Sequence, residues 1–375
     1  MMTLKAFKYR LYPTVQQQIL LNKTFGCVRV VWNYNVEVFN KFDKNLTEQE
    51  QPLCTTQLKK QFEWMNEVSA AALQQKEMDF KVFKKNYFSK SRKKKIGSPC
   101  FKNRDSHQSY RLPNQKFTLN NSSIRLEKIG KVKLIVDRAV PVGCKFMSVT
   151  VSKNVCGQFF ASVLVEMEII HKPKTGQAIG LDIGIKTFLT GSDSLTVENP
   201  TYFRESQAEL RQAQQHLSRK KKGSVRRKKA KLKVARIHNN IANQRNTFIH
   251  QITTKLINEY DFIAIEDLNV SGMVKNRKLA KSISDASFAE FYAVLSYKAA
   301  WYGKEVVKVD RWFASSKTCS CCGWKNEKLT LSDRTFNCSS CGLEKDRDLN
   351  ASENILKEAL RVSSAIRTPS ECQSV

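Results

Sequence analysis

Acidic residues are scarce in this 375-residue sequence: 34 Asp plus Glu face 64 Lys plus Arg, a formal net charge of +30. A compact chain this unbalanced repels itself unless a polyanion belongs to its working state. Nucleic acid is the commonest such partner, and an anionic membrane surface is the alternative. Long hydrophobic runs are missing too. No stretch approaches the roughly 18 uninterrupted apolar residues of a spanning helix, and Met1 to Tyr12 interleaves Lys5, Lys8 and Arg10 without an apolar signal core. The expectation is a soluble, unexported, cytoplasmic protein. What the chain does have is 41% hydrophobic residues, enough for real cores, and a length suited to two or three domains, so wholesale disorder is excluded.

A chain this long needs no disulfide staples, and five of its 11 cysteines fall between Cys319 and Cys341. Clustering points to metal in a reducing compartment. Cys319-Ser-Cys-Cys322-Gly and Cys338-Ser-Ser-Cys341-Gly are two C-x2-C knuckles with the spacing of a four-thiolate zinc ribbon. Cys321 leaves the first register open to a C-x-C start, although symmetry with the second knuckle favours Cys319 and Cys322. Four thiolates leave no position for water, so one Zn2+ here holds shape. The scattered Cys27, Cys54, Cys100, Cys144, Cys156 and Cys372 read as plain thiols.

Periodicity divides the rest. From Thr14 to about Ser106 apolar residues recur at helical spacing, as in Val15, Ile19, Leu20 and Leu21 followed by Val28, Val31 and Trp32. From Ser109 to about Ile170 short alternating runs such as Lys131 to Val136 and Ser148 to Ser152, separated by turns, predict a small antiparallel barrel or sandwich. Leu4 to Leu11 also alternates and fits a strand of that same sheet, with the helices inserted after it. Beyond a linker holding Pro173 and Gly176, the apolar runs Ala178 to Asp182, Phe262 to Ile265 and Val306 to Val309 predict buried strands alternating with helices, an α/β layer. The tail after Arg361 lacks periodicity and is expected to be disordered.

Because acids are few, their placement is informative. Asp182 closes one buried strand and Glu266 another, at the carboxyl edge where open α/β sheets keep their sites. Asp348, just before a helix bearing Ile355, Leu356, Ala359 and Leu360, is a third candidate. Carboxylates converging on one point repel unless divalent cations lie between them, and Mg2+ prefers such oxygen donors. Three carboxylates and two Mg2+ leave about one positive charge facing a phosphate that gains negative charge, which suits phosphodiester cleavage. Spacing alone does not separate these acids from Asp267 and Asp346.

Basic residues also cluster. Arg219 to Arg236 holds eleven of them and no acid, with Arg219, Lys220, Lys221, Lys222, Arg226, Arg227, Lys228 and Lys229 at its centre. Lys90 to Lys95, with Arg92, Lys93 and Lys94, is a second block. The first runs into the helical pattern Ile237, Ile241, Phe248, Ile252 and Leu256, so a basic helix tracking phosphates is expected, without sequence readout.

In their joint order, Phe7-Lys-Tyr-Arg-Leu-Tyr-Pro13, Gly130-Lys-Val-Lys133, Gly180-Leu-Asp-Ile-Gly184, Ile265-Glu-Asp-Leu-Asn269, Ser315-Ser-Lys-Thr-Cys319, Leu331-Ser-Asp-Arg-Thr335 and Asp346-Arg-Asp-Leu-Asn-Ala351 resemble the TnpB (OrfB) family of insertion-sequence nucleases, relatives of type V CRISPR effectors. The resemblance implies α/β plus β-barrel and helical lobe: an RNase H-like RuvC nuclease domain (176–318 and 343–362) with an inserted zinc ribbon (319–342), preceded by a WED-like β-barrel (1–13 and 108–175) carrying a helical recognition (REC) lobe (14–107), and a disordered tail at 363–375. It places the catalytic, Mg2+-binding acids on Asp182, Glu266 and Asp348. It implies a transposon-derived guide RNA and cleavage of target double-stranded DNA beside a short transposon-associated motif. Pairing would then read the bases while the protein supplies a positive channel. The alternatives are a nuclease-silent RNA-guided regulator and a transposase or its accessory protein. Ala314 and Ser352 depart from the family's usual Pro and Ala, away from the acids.

Overall fold

The computed structural model describes residues 2–41, 55–89, 96–330 and 332–367. They divide into two compact units, Met1–Glu168 and Ile169–Val375.

In the first unit the alternation at the amino end becomes β1 (Met2–Tyr12), with Phe7, Tyr9 and Leu11 buried. Helices α1 (Val15–Lys41), α2 (Thr55–Gln61) and α3 (Ala70–Phe88) follow, and then β2 (Gln108–Pro113), β3 (Phe117–Leu119), β4 (Ser123–Leu126), β5 (Gly130–Ile135), β6 (Lys145–Lys153) and β7 (Phe159–Glu168). All pair antiparallel in one sheet ordered β2-β6-β7-β1-β5-β4-β3. The two end strands, β2 and β3, are joined by a single 3-10 turn, Asn114–Lys116. The sheet therefore curls until its ends nearly meet, a nearly closed barrel in place of a sandwich. Leu21, Phe25, Val28 and Val31 of α1 share one core with Leu112, Val149 and Val163 of the sheet.

The helical pattern extends less far than its spacing suggests. Residues 96–107 are coil and turns, where Gly97 and Pro99 disfavour helix. Side chains of α1 hold this segment: Asn33 exchanges hydrogen bonds with the Lys102 backbone at 2.8 and 2.9 Å, and Trp32 Nε1 donates to Cys100 O at 3.1 Å. The sheet ends at Glu168, so residues 169–175 leave the expected barrel boundary. They are anchored within the second unit, where Asp261 Oδ2 accepts from the amides of Thr175 and Gly176, each at 2.7 Å, and Lys304 Nζ donates to Pro173 O at 2.9 Å.

The second unit runs β8 (Ala178–Asp182), β9 (Thr187–Gly191), β10 (Thr196–Glu198), α4 (Tyr202–Glu205), α5 (Gln207–Ser218), α6 (Val225–Glu259), β11 (Phe262–Glu266), α7 (Val270–Met273), α8 (Ala280–Ala286), α9 (Phe288–Tyr302), β12 (Glu305–Val309), β13 (Thr335–Asn337), β14 (Glu344–Asp346) and α10 (Arg347–Arg367). Its sheet is ordered β10-β9-β8-β11-β12, with β8, β11 and β12 parallel and β9 and β10 antiparallel. Strand alternation divides the two faces. Ile179, Leu181, Ile263 and Ile265 pack with α6 and α9, whereas Ala264 and Val309 pack with Ile355 and Ala359 of α10.

Gly180 faces α10, and a Cβ there would lie 2.1 Å from Ser352 O and 2.7 Å from Leu356 N. Only glycine lets the helix approach this closely. Gly180→Ala is expected to lower stability by about 3 kcal/mol, because two backbone segments must separate; chemical denaturation measures it, and an unchanged midpoint would refute the close contact.

Two expectations change at the ends of charged or polar segments. Helix α10 continues past Arg361 to Arg367, so the tail is not irregular from residue 363. Ser363 is buried and its hydroxyl donates to Glu305 Oε1 at 3.3 Å, a tertiary contact that polar composition concealed. Residues 368–375, and the basic block 90–95 with Arg92, Lys93 and Lys94, lie outside the described residues.

Candidate functional site

Three elements deliver the three acids. Asp182 is the last residue of β8 and Glu266 the last of β11, and the residues before them, Leu181 and Ile265, are paired across the parallel ladder. Asp348 sits in the first turn of α10, which lies against β8. Burial first, and then the negative charges of Glu266 and Asp348, push the Asp182 carboxyl up to about 7, with the Arg347 guanidinium opposing them. Burial also raises Glu266, partly offset by a hydrogen bond from Ser315 Oγ to its Oε1.

The neighbouring acids are engaged elsewhere. Asp346 Oδ1 accepts from the amides of Asp348 and Leu349 at 2.9 and 3.0 Å, capping α10. Asp267 pairs with Arg311 and stands 4.0 Å from Lys308. Asp346 and Asp267 thus have local partners, whereas Glu266 and Asp348 are the acids whose charges act on Asp182.

The donor set fits a hard divalent cation: oxygen ligands from three elements, with like charges that disfavour ionisation when nothing lies between them. Among the described residues, the four ribbon cysteines form a group whose metal-binding atoms all lie within 4.8 Å of one another, and the three acids are not drawn together to that extent.

The ribbon fits zinc. Cys319 Sγ is 3.7 Å from Cys341 Sγ, and Cys322 Sγ is 3.5 Å from Cys338 Sγ. A tetrahedral ion with Zn–S of about 2.3 Å requires sulfur separations of about 3.8 Å. Both knuckles fold alike: Gly323 N bonds to Cys319 O and Gly342 N to Cys338 O, each at 3.0 Å. Each glycine has a positive φ, +77° and +74°, which this turn demands. A backbone hydrogen bond at Trp324 holds the Cys322 thiol down to about 6. Cys321 is exposed and outside the group, which settles the register as Cys319 and Cys322.

Two buried asparagines of α10 tie the ribbon to the acids. Asn350 accepts from Ser320 N at 2.9 Å and donates to Thr318 O at 2.7 Å, while Asn354 donates to Ser315 O at 2.8 Å and Thr318 O at 2.6 Å. The helix that presents Asp348 therefore also grips the first knuckle and the serine that holds Glu266. Ser315 and Asn350 stand in the sequence only as members of the family motifs, with no role assigned, and Asn354 is signalled by nothing but polarity inside an otherwise apolar helical pattern. Sequence reading passed over Tyr292, a buried aromatic on α9.

The basic block forms the tip of a helical hairpin, α5 and α6, held by Leu210, Ala213, Ile237 and Ile241. Arg219, Lys221, Lys222, Arg226, Lys228 and Lys229 are exposed there, and Lys220 is half-buried. Arg227 turns inward: its Nη1 donates to Leu217 O at 3.0 Å and Lys220 O at 2.9 Å, closing the end of α5. Its first role is structural.

Comparison with known proteins matches three segments. Residues 162–277 match the family described as "Probable transposase" (OrfB_IS605), residues 288–355 the "Cas12f1-like, TNB domain", and residues 1–38 a "Helix-turn-helix domain". The last of these is here one strand and one helix. A Streptomyces pristinaespiralis protein named "Putative RNA-guided DNA endonuclease" is 39% identical, covering 96% of this chain and 90% of its own. The Escherichia coli K12 protein with the same name and the suffix InsQ is 31% identical, covering 95% and 92%. A cryo-EM structure of the Cas12f1–sgRNA–target DNA complex aligns over 94% of this chain and 98% of that one, at 15% identity and a TM-score of 0.48. With relatives aligned over nearly its whole length and the OrfB profile across the strands that carry Asp182 and Glu266, this chain belongs to the TnpB (OrfB) family.

Proposed function

We propose that the chain is an RNA-guided endonuclease that cleaves double-stranded DNA beside a short transposon-associated motif. The observation that carries this reading is the delivery of Asp182, Glu266 and Asp348 by two strand ends and a helix start, with burial first and then the charges of Glu266 and Asp348 raising the Asp182 carboxyl to about 7. The strand order β10-β9-β8-β11-β12 supports an RNase H-like, RuvC-type nuclease layer, and the nearly closed barrel with its inserted helices supports the WED-like and REC assignments. The names of the relatives support an RNA guide and a DNA target.

In this reading Asp182, Glu266 and Asp348 hold two Mg2+. When bound, these ions supply activation of water and charge stabilisation at the leaving oxygen of a phosphodiester. Ser315 orients the Glu266 carboxylate. The cap at Asp346 sets the first turn of α10 and so the direction of Asp348. Arg347, 3.4 Å from Asp348 Oδ1, balances part of the acidic charge. The exposed lysines and arginines of the α5–α6 hairpin contact phosphates of guide RNA or DNA, giving affinity that falls steeply with salt. No helix among the described residues is long and apolar enough to cross a membrane, and the proposed place of work is the bacterial cytoplasm, on the nucleoid when bound to DNA.

Expression of the chain, sequencing of the RNA that copurifies and assay of matched duplex DNA test the proposal. The expected result is cutting that needs both that RNA and Mg2+. Guide-dependent binding without cutting favours the regulator instead, and strand-transfer products without RNA favour a transposase.

A further inference from the structure

Tyr292 has a buried hydroxyl with no role so far. Tyr292 lies on α9 and is 9% exposed, packed in the core formed by Leu181, Ile183 and Ile265, the residues adjoining the two strand-end acids. Its hydroxyl is buried and has no hydrogen-bond partner. The Lys308 ammonium stands 5.8 Å from the ring centroid, and Lys308 approaches Asp267, the residue after Glu266. Burial raises the phenol above its usual range, and the charges acting on it after burial are those of Glu266, Asp182 and Asp267. A phenol is protonated near neutral pH in any case, so its hydroxyl is a donor.

An unpaired buried hydroxyl costs folding free energy that phenylalanine at the same place would not. Such a cost is intelligible if an acceptor arrives in the working state. Glu266 Oε1 already accepts from Ser315, and the phenol bonds to neither acid. What enters a cluster of carboxylates is a hydrated cation, whose water oxygens are acceptors.

We propose that Tyr292 is a positioning residue of the acidic site, its hydroxyl donating to the hydration water of a divalent cation held by Glu266 and Asp182. The inference rests on the nuclease reading of these acids and deepens it. It also distinguishes Tyr292 from a packing residue, because the ring fills the core in either state whereas the hydroxyl is satisfied only in the loaded one.

The test uses the full chain with Ca2+ as a probe, titrated by calorimetry, together with thermal unfolding in buffer free of added divalent cation. Tyr292→Phe is expected to weaken Ca2+ binding about tenfold, the worth of one hydrogen bond to a charged centre. Its unfolding temperature without the cation should be unchanged or higher. Equal Ca2+ affinity in Tyr292→Phe, with binding lost in Asp182→Ala, overturns the inference and leaves the nuclease reading intact. Binding that survives Asp182→Ala refutes that reading and the inference with it. A lower unfolding temperature for Tyr292→Phe also overturns the inference, since the hydroxyl would then be paired in the empty protein.

Discussion

Asp182→Ala should abolish DNA cleavage, by about a thousandfold or more as expected for loss of a central charged group in a preorganised site, while guide-dependent DNA binding persists. The wild-type site should also show a defined pH response. Burial and the neighbouring acids raise the Asp182 carboxyl to about 7 in the folded chain, against its ordinary acidic value when unfolded. The folded state therefore holds this proton more tightly. Its contribution to stability is fully present below the unfolded value, and it is lost as pH rises through about 7. Cation binding must expel the proton, so apparent Ca2+ affinity should climb about tenfold per pH unit below 7 and level off above it. Calorimetry in buffers of different ionisation enthalpy would detect the released proton. A pH-independent affinity between 5 and 8 would show that Asp182 is not a ligand.

Asp182 and Glu266 stood out because buried parallel strands read as continuous apolar runs, and a carboxylate at the end of such a run marks the sheet's edge. The four zinc ligands were legible from spacing, because the knuckle geometry is local. Spacing did not separate Asp348 from Asp346, since both adjoin the same helix start; the family resemblance alone chose Asp348, and the structure adds the hydrogen bonds that make Asp346 the cap. Tyr292 and the asparagine pair were illegible for a different reason. Their significance comes from what lies across space, on β8, β11 and the first knuckle, and no periodicity encodes a tertiary partner. The barrel was half legible: alternation marked the strands, but closure depends on the short turn that joins its two end strands. Residues 362–367 continue the helix where irregular chain was expected, and Ser363 meets a distant glutamate, a contact that polar composition hides.

Cys338→Ser should remove zinc and, through α10, disturb Asp348 and Glu266. The wild-type ribbon is expected to hold one Zn2+, and structural zinc of this kind contributes about 10 kcal/mol to the folding of its module. The ribbon's own core is small: Phe336 with Cys319 and Cys338, half-covered by Trp324, Leu329 and Leu343. Without the ion it has too little apolar burial to stay ordered. The consequence does not stop at the ribbon. Asn350 and Asn354 grip Thr318 and Ser320 on the first knuckle, Lys357 donates to Ser320 O, and Asn354 also holds Ser315 O, whose side chain orients Glu266. Freed of the knuckle, those asparagines become buried polar groups without partners, and the first turn of α10 with Asp348 loosens. Hydrogen exchange should therefore accelerate at residues 318–320 and 347–354 together, zinc measured by mass spectrometry should fall from one equivalent to near zero, and cleavage should drop although no acid was changed. The strands β8, β11 and β12, which pack on α6 and α9, should keep their protection, because their core lies on the opposite face of the sheet. Full zinc content with unaltered exchange in α10 would sever the proposed link between the ribbon and the acids.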